Sequence, residues 1–239
     1  MEQIYTIPIN EAFEKGMESG TCDCPMCKLY DKLEKKEVEM ALGPAMMEPA
    51  TRIQTNEKGF CHEHFKQLHA QSNSLSLALI LESHLTELNG KMDGGILTKI
   101  FGGKSNSHLK ATKALKGSCY ICEALEANFR RMVENTVLLY ECDPKFRQKL
   151  LGQKYFCLPH YQELIEYAKN NLNKKKFGDF FDDISSVEKD YFEKIIKDVS
   201  WYCKKFDYRY DSEPWYDSKD AVDRAIRFLS SGVAPDNKK

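Results

Sequence analysis

Four short motifs carry the residues that could do chemistry. Cys24-Pro25-Met26-Cys27 is followed by Cys61-His62-Glu63-His64, and Cys119-Tyr120-Ile121-Cys122 by Cys157-Leu158-Pro159-His160. Each pair reads Cys-x-x-Cys, a spacer of 33 or 34 residues, then Cys-x-x-His, and the second pair repeats the first at an offset of 95 or 96 residues. A near-constant offset over four ligand positions is the mark of an internal duplication. The flanks agree: Phe60 and Phe156 precede the third cysteine, Phe65 and Tyr161 follow the histidine, and Leu68 and Leu164 come four residues after it.

Thiolate and imidazole are the preferred protein donors of zinc, which takes four ligands in a tetrahedron. Read along the chain, Cys24, Cys27, Cys61 and His64 make one complete set, and Cys119, Cys122, Cys157 and His160 the other. We therefore expect two zinc ions per chain, each stapling one half. Four protein ligands leave no open position for water or substrate, so such sites are structural. An iron–sulfur cluster ranks below zinc, because a histidine in the set is unusual for clusters. Covalent haem is excluded where Lys28 and Glu123 replace the haem histidine. A thioredoxin-like redox reading has no need of the distant Cys-x-x-His. Cys22 and His62 adjoin the first set but have no ligand counterpart in the second half, and they read as bystanders.

The elements that must position these residues are helices. Leu125, Phe129, Met132, Val133, Thr136, Val137 and Tyr140 recur on one helical face, as do Tyr161, Leu164, Ile165, Ala168 and Leu172. One long helix is expected from His64 to about Leu88, the most buried of all. Another is expected from about Val187 to Phe206, with Tyr191, Phe192, Ile195, Ile196, Val199, Tyr202, Cys203 and Phe206 inward. Ser218 reads as the cap of a last helix carrying Val222, Ala225, Ile226 and Leu229. Lys174-Lys175-Lys176 and the aspartates after it read as an exposed connection. Six of the 13 glycines lie between Gly90 and Gly117, which marks a linker. The expected organisation is all-α: a first zinc-stapled half over 1–92, a Gly-rich linker over 93–117, and a second half with C-terminal helices over 118–232.

Composition narrows the function classes. Lys plus Arg is 35 and Asp plus Glu is 36, without the basic excess of a nucleic-acid binder. No apolar run is long enough to span a bilayer, and the N-terminal residues have neither a basic nor an apolar signal region, so a cytoplasmic protein is expected. Thiols stay reduced there, which favours metal over disulfides for the cysteines. Phe101-Gly102-Gly103-Lys104-Ser105 resembles the end of a phosphate-binding loop, but Thr98 stands where its first glycine belongs. No Ser, His and Asp constellation forms a nucleophile motif, so no catalytic residue is assigned.

The chain also resembles a family of uncharacterised proteins of anaerobic Gram-positive bacteria, domain-of-unknown-function family 6062. The resemblance rests on Tyr5-Thr6-Ile7-Pro8-Ile9-Asn10-Glu11-Ala12-Phe13, the four Cys and His motifs, and Lys205-Phe206-Asp207-Tyr208-Arg209 through Glu213-Pro214-Trp215 to Ser218-Lys219-Asp220-Ala221. Ser74 and Ser76 depart from its Arg and Gly. The resemblance implies a cytoplasmic bacterial protein and supplies no activity.

The expected role is binding or scaffolding of a protein partner. One candidate recognition surface is the aromatic and charged stretch with Arg209 and Trp215, since Trp, Tyr and Arg are favoured at binding hot spots. A rival is a small-ligand site or enzyme using the polar segment 47–56, with Arg52 and Asn56. A third reading is a thiol and zinc redox sensor, in which oxidation releases the metal.

Overall fold

A computed structural model describes residues 3–18, 24–43, 47–92, 108–109, 112–113 and 117–231. The expected linker over 93–117 and Cys22 lie almost wholly outside the described residues. All regular structure among the described residues is helical. The helices are α1 (Gln3–Glu18), α2 (Pro25–Leu42), α3 (Pro49–Lys58), α4 (His62–Ala70), α5 (Ser74–Met92), α6 (Tyr120–Cys142), α7 (Pro144–Leu151), α8 (Leu158–Asn171), α9 (Lys174–Lys204) and α10 (Ala221–Ser230). Two short 3-10 turns, Tyr208–Tyr210 and Tyr216–Ser218, lie between α9 and α10. No helix among the described residues is long and apolar enough to cross a membrane.

The helices form two compact units, and the division is not the expected one at 1–92 and 118–232. Residues 1–31 and 129–237 make one unit, and residues 32–128 make the other. The chain thus changes unit inside α2 and again inside α6. The N-terminal Cys-x-x-Cys folds with the C-terminal part of the chain.

In the first unit, every position named on the α6 face from Phe129 to Tyr140 is buried. Phe13 of α1 packs on Phe146 of α7 and on Phe156, with ring centroids 4.8 and 6.1 Å apart. Gln153 Nε2 ties the same region by donating to the Phe13 and Lys149 carbonyls, both at 2.8 Å. Helix α9 is longer than expected. It begins at Lys174, where the Asn173 side chain accepts the Lys176 amide at 3.0 Å, so the lysine run is a capped helix start and not a connection. Its inward residues are Phe180, Ile184, Val187, Glu188, Tyr191 and Ile195. Phe192, Ile196, Cys203 and Phe206 were expected inward and are exposed.

Helix α10 is likewise rotated from its expected orientation. It starts after Asp220, and Ser218 sits buried in the preceding 3-10 turn. Ala221, Arg224 and Phe228 face inward, while Val222, Ile226 and Leu229 are exposed. Phe228 joins the stacked pair Tyr155 and Tyr191, whose centroids are 4.0 Å apart. Arg224 is held by Asp198 at 2.9 Å and Asp220 at 3.0 Å and also donates to the Asp217 carbonyl, so its burial leaves no unpaired charge.

In the second unit, α3 and α5 pack side by side. The expected single helix from His64 to Leu88 is two helices, broken at Gln71, Ser72 and Asn73. Asn73 explains the break: its Oδ1 accepts the Ser76 amide at 3.2 Å, and its Nδ2 donates to the Leu42 carbonyl at 3.0 Å. Nor is α5 the most buried helix, since Leu75 and Leu85 are exposed.

The loop after α9 is built on one buried ammonium. Lys205 Nζ donates to the carbonyls of Tyr210, Asp211 and Glu213 at 2.7, 3.1 and 2.7 Å. It also lies 5.4 Å from the centre of the Trp215 ring. Hydrogen bonds from a charged donor contribute more than neutral ones. Lys205→Met keeps the aliphatic stem and removes all three, so it should lower stability by about 2–3 kcal/mol, read as a lower urea midpoint of the helical signal. An unchanged midpoint would show that the loop holds itself without the lysine.

Candidate metal centres

All four motifs fold the same way. Cys24, Cys61, Cys119 and Cys157 each stand immediately before a helix, and their carbonyls accept the first intrahelical bonds, from Lys28, Phe65, Glu123 and Tyr161. Cys27, His64, Cys122 and His160 are then the third residues of α2, α4, α6 and α8. A cap side chain and the side chain three residues later lie on the same end of the helix, as in the capping box. Pro25 and Pro159 sit in first turns, where a missing amide costs nothing. The free amides of the first turn and the positive end of the helix dipole favour thiolate there.

The motifs converge in two clusters, each within a single unit. Cys24, Cys27, Cys157 and His160 form one in the first unit, and Cys61, His64, Cys119 and Cys122 form the other in the second. In each cluster the four donor atoms all lie within 4.8 Å of one another. The structure therefore brings together all eight expected residues but exchanges the partners. The grouping of Cys24 and Cys27 with Cys61 and His64, and of Cys119 and Cys122 with Cys157 and His160, is corrected. Each Cys-x-x-Cys meets the Cys-x-x-His of the other sequence repeat.

Local bonds show why in the second unit. Gly59 takes a positive φ of 61°, which turns the chain from α3 into Phe60 and Cys61. This bend is laid against the Cys119 segment: the Tyr120 amide donates to the Gly59 carbonyl at 3.0 Å, and Ser118 Oγ donates to the Lys58 carbonyl at 2.6 Å. Lys58 also pairs with Glu123. In the first unit the corresponding place before Cys157 is held by a side chain, since the Phe156 amide donates to Glu188 Oε1 at 2.5 Å. Burial pushes the Glu188 carboxyl up to about 8.

Distances fit a four-coordinate ion. Tetrahedral zinc with ordinary bond lengths implies edges of about 3.8 Å between sulfurs and about 3.5 Å between sulfur and nitrogen. The Cys27–Cys157 and Cys61–Cys122 sulfurs are 3.6 and 3.8 Å apart. Nδ1 of His160 lies 3.0 to 3.7 Å from Cys157, Cys27 and Cys24, and Nδ1 of His64 lies 3.1 to 3.3 Å from Cys61, Cys119 and Cys122. Both histidines turn Nδ1 inward. Nε2 of His64 faces outward to Glu34 Oε1 at 3.3 Å, the carboxylate–imidazole arrangement that orients metal-bound histidines. His160 packs instead on Phe129, centroid to centroid 5.1 Å.

The donor groups of each set also perturb one another's ionisation. The hydrogen bond from Cys122 holds the Cys119 thiol down to about 3 against burial, while the neighbouring Cys119 pushes Cys122 up. Burial opposes ionisation of Cys24, but hydrogen bonds from Cys157, Cys27 and His160 outweigh it. Cys157 is pushed up in turn by Cys24. Burial also opposes a charged His64, yet Cys119 and Glu34 raise it to about 10. Crowded thiols thus share protons, and three thiolates at one point need a positive ion between them. The donor set and its geometry fit zinc.

The other candidate residues stand elsewhere. Arg52 donates to the Leu79 carbonyl at 3.3 Å, and Asn56 Oδ1 accepts from Ser83 at 2.9 Å, so both tie α3 to α5. Arg209 is exposed and paired with Asp207, and Trp215 is half-buried against Tyr202. His62 is exposed on α4. Sequence reasoning passed over Glu34 and Glu188. A carboxylate in a charged helix carries no spacing signal.

The family model described as a family of unknown function, DUF6062, matches residues 1–236, and the chain belongs to that family. Comparison with curated proteins and with solved structures gives no match.

The exchanged grouping predicts a protection pattern. In Cys157→Ser, Cys24 and Cys27 should become open to alkylation, while Cys61, Cys119 and Cys122 stay protected, as read by peptide mass spectrometry. Grouping by sequence half would instead expose Cys119 and Cys122.

Proposed function

We propose that this DUF6062 protein is a cytoplasmic bacterial scaffold stapled by two structural zinc ions, one per unit, that presents a helical surface to a protein partner. The convergence of eight donors into two tetrahedral sets is the observation that carries the metal reading. All four donors of each set come from the protein, so zinc there holds segments together and leaves no position for substrate. The pairs it joins are 130 residues apart in one set and 55 in the other. The matching motifs and their exchange support a duplicated unit whose Cys-x-x-His arms have traded places, as in a domain swap within one chain.

The partner reading is supported by the outer face of α9 and α10. Phe192, Ile196 and Leu229 are exposed there around a cavity of about 350 Å³ whose lining is almost entirely apolar. Exposed contiguous apolar surface of this kind marks interaction sites. Ile196→Asp combined with Leu229→Asp should abolish capture of a partner from the native host and leave helix content unchanged. Capture that survives both charges would sink this surface.

Elemental analysis tests the metal. Protein purified without supplementation should carry about two zinc ions per chain, and a strong chelator should remove them with loss of helical circular dichroism, restored by zinc. Binding energy at such sites is largely folding energy, on the order of 10 kcal/mol. Iron with sulfide, or no metal, would overturn the assignment.

A further inference from the structure

The two clusters differ in one respect that matters chemically. Cys24, Cys27 and Cys157 are at most 1% exposed, and the whole first set is buried. In the second set Cys119 and His64 are buried, but Cys61 and Cys122 are partly open to solvent. These two partly exposed cysteines are also neighbours, their sulfurs 3.8 Å apart. They lie on segments already tied together through Gly59 and Tyr120 and through Lys58 and Ser118.

The geometry points to Cys61 and Cys122 as an oxidant-reactive pair, at which a peroxide forms a disulfide and releases the metal ion of the second unit while the first unit keeps its own. This rests on the metal reading above. One thiolate attacks a peroxide oxygen, the O–O bond breaks, hydroxide leaves and a sulfenic acid forms. The second thiolate attacks that sulfur, the S–S bond forms and a second hydroxide leaves. Two thiolates lose two electrons, the peroxide gains them, and two protons from solvent turn the hydroxides into water. Zinc does not change oxidation state. Cys119 and His64 alone no longer complete its coordination, so it departs as the divalent ion.

Access decides the selectivity. Zinc leaves each three-thiolate set with a net negative charge, and both sets have thiolates at helix N-termini, so they are alike in nucleophilic character. They differ in whether peroxide can reach a sulfur. Closing the bond moves the sulfurs from 3.8 Å to a disulfide length of about 2 Å. The first set offers no sulfur at the surface.

The test uses the full chain with Cys142 and Cys203, which lie outside both sets, and Cys22, which none of the four motifs includes, replaced by Ser. Metal content is measured first, then hydrogen peroxide is added in steps. Zinc release is followed with a chromophoric chelator, and disulfides are mapped by mass spectrometry without reduction. One zinc per chain should leave at about tenfold less peroxide than the other. The Cys61–Cys122 peptide pair should appear in step with it, and dithiothreitol with zinc should restore two ions. Release of both ions together, earlier oxidation of Cys24, Cys27 or Cys157, or a first disulfide other than Cys61–Cys122 would overturn the proposal alone. A chain purified without metal would overturn the metal reading, and this proposal with it, before peroxide is added.

Discussion

Three thiols and an imidazole held at one point in a protein interior set the terms for everything around them. Deprotonated, they repel one another. Protonated, they are polar groups with little water to solvate them. A divalent cation at the centre removes both costs at once, and it does so only if the four donors come within tetrahedral distance. The chain meets that demand with one device used four times, a cysteine before a helix and a second ligand on its first turn. The device is local, so each motif forms without help. What the fold must supply is the meeting of two such helix ends, and α2 with α8, and α4 with α6, are placed to provide it.

Which ends meet is not a local matter. Pairing motifs 33 or 34 residues apart closes a shorter loop than pairing positions 130 apart. The difference is small, because closure entropy grows only with the logarithm of loop length and costs about 1 kcal/mol over this range. Against metal-binding energies on the order of 10 kcal/mol, that preference decides nothing. Backbone and side-chain bonds between the segments decide it instead: Tyr120 to Gly59, Ser118 to Lys58 and Lys58 to Glu123 all favour the exchanged partner. The Cys24 set has its own anchor in Glu188, reached only from α9.

This is also why the eight clustered residues were legible in the sequence and their grouping was not. Spacing of two residues between donors is a property of one helix end, and all four ends formed as read. The two Cys-x-x-His motifs are interchangeable as donors, so spacing has no means of choosing between them. The same line divides the helices. On α6 the apolar stripe from Leu125 to Tyr140 is buried throughout, because that helix has apolar neighbours on its inner side. On α10 the stripe Val222, Ile226 and Leu229 points outward, and Arg224 points in. Periodicity records that a stripe exists; the ion pairs of Arg224 with Asp198 and Asp220 and the stacking of Phe228 choose which side is turned inward. The break before α5 was missed for a similar reason. Asn73 in a polar run looks ordinary until its amide is seen to join two helix ends.

Equal ligand sets in unequal surroundings give the two sites different physical roles. Every residue of the first set is buried, and among the described residues its histidine is braced by the buried ring of Phe129 and not by a carboxylate. Such burial keeps out water, chelators and oxidants together, so exchange there requires the unit to open. The second set has its carboxylate partner Glu34 at the imidazole and two cysteines that are only partly buried. A carboxylate on Nε2 strengthens the imidazole as a ligand, while partly exposed cysteines make the same site reachable. Strength and accessibility therefore rise together in the second unit. A metal bound there would be held firmly while the thiolates stay reduced and would have a route out once two of them were oxidised, a combination that burial denies to the first.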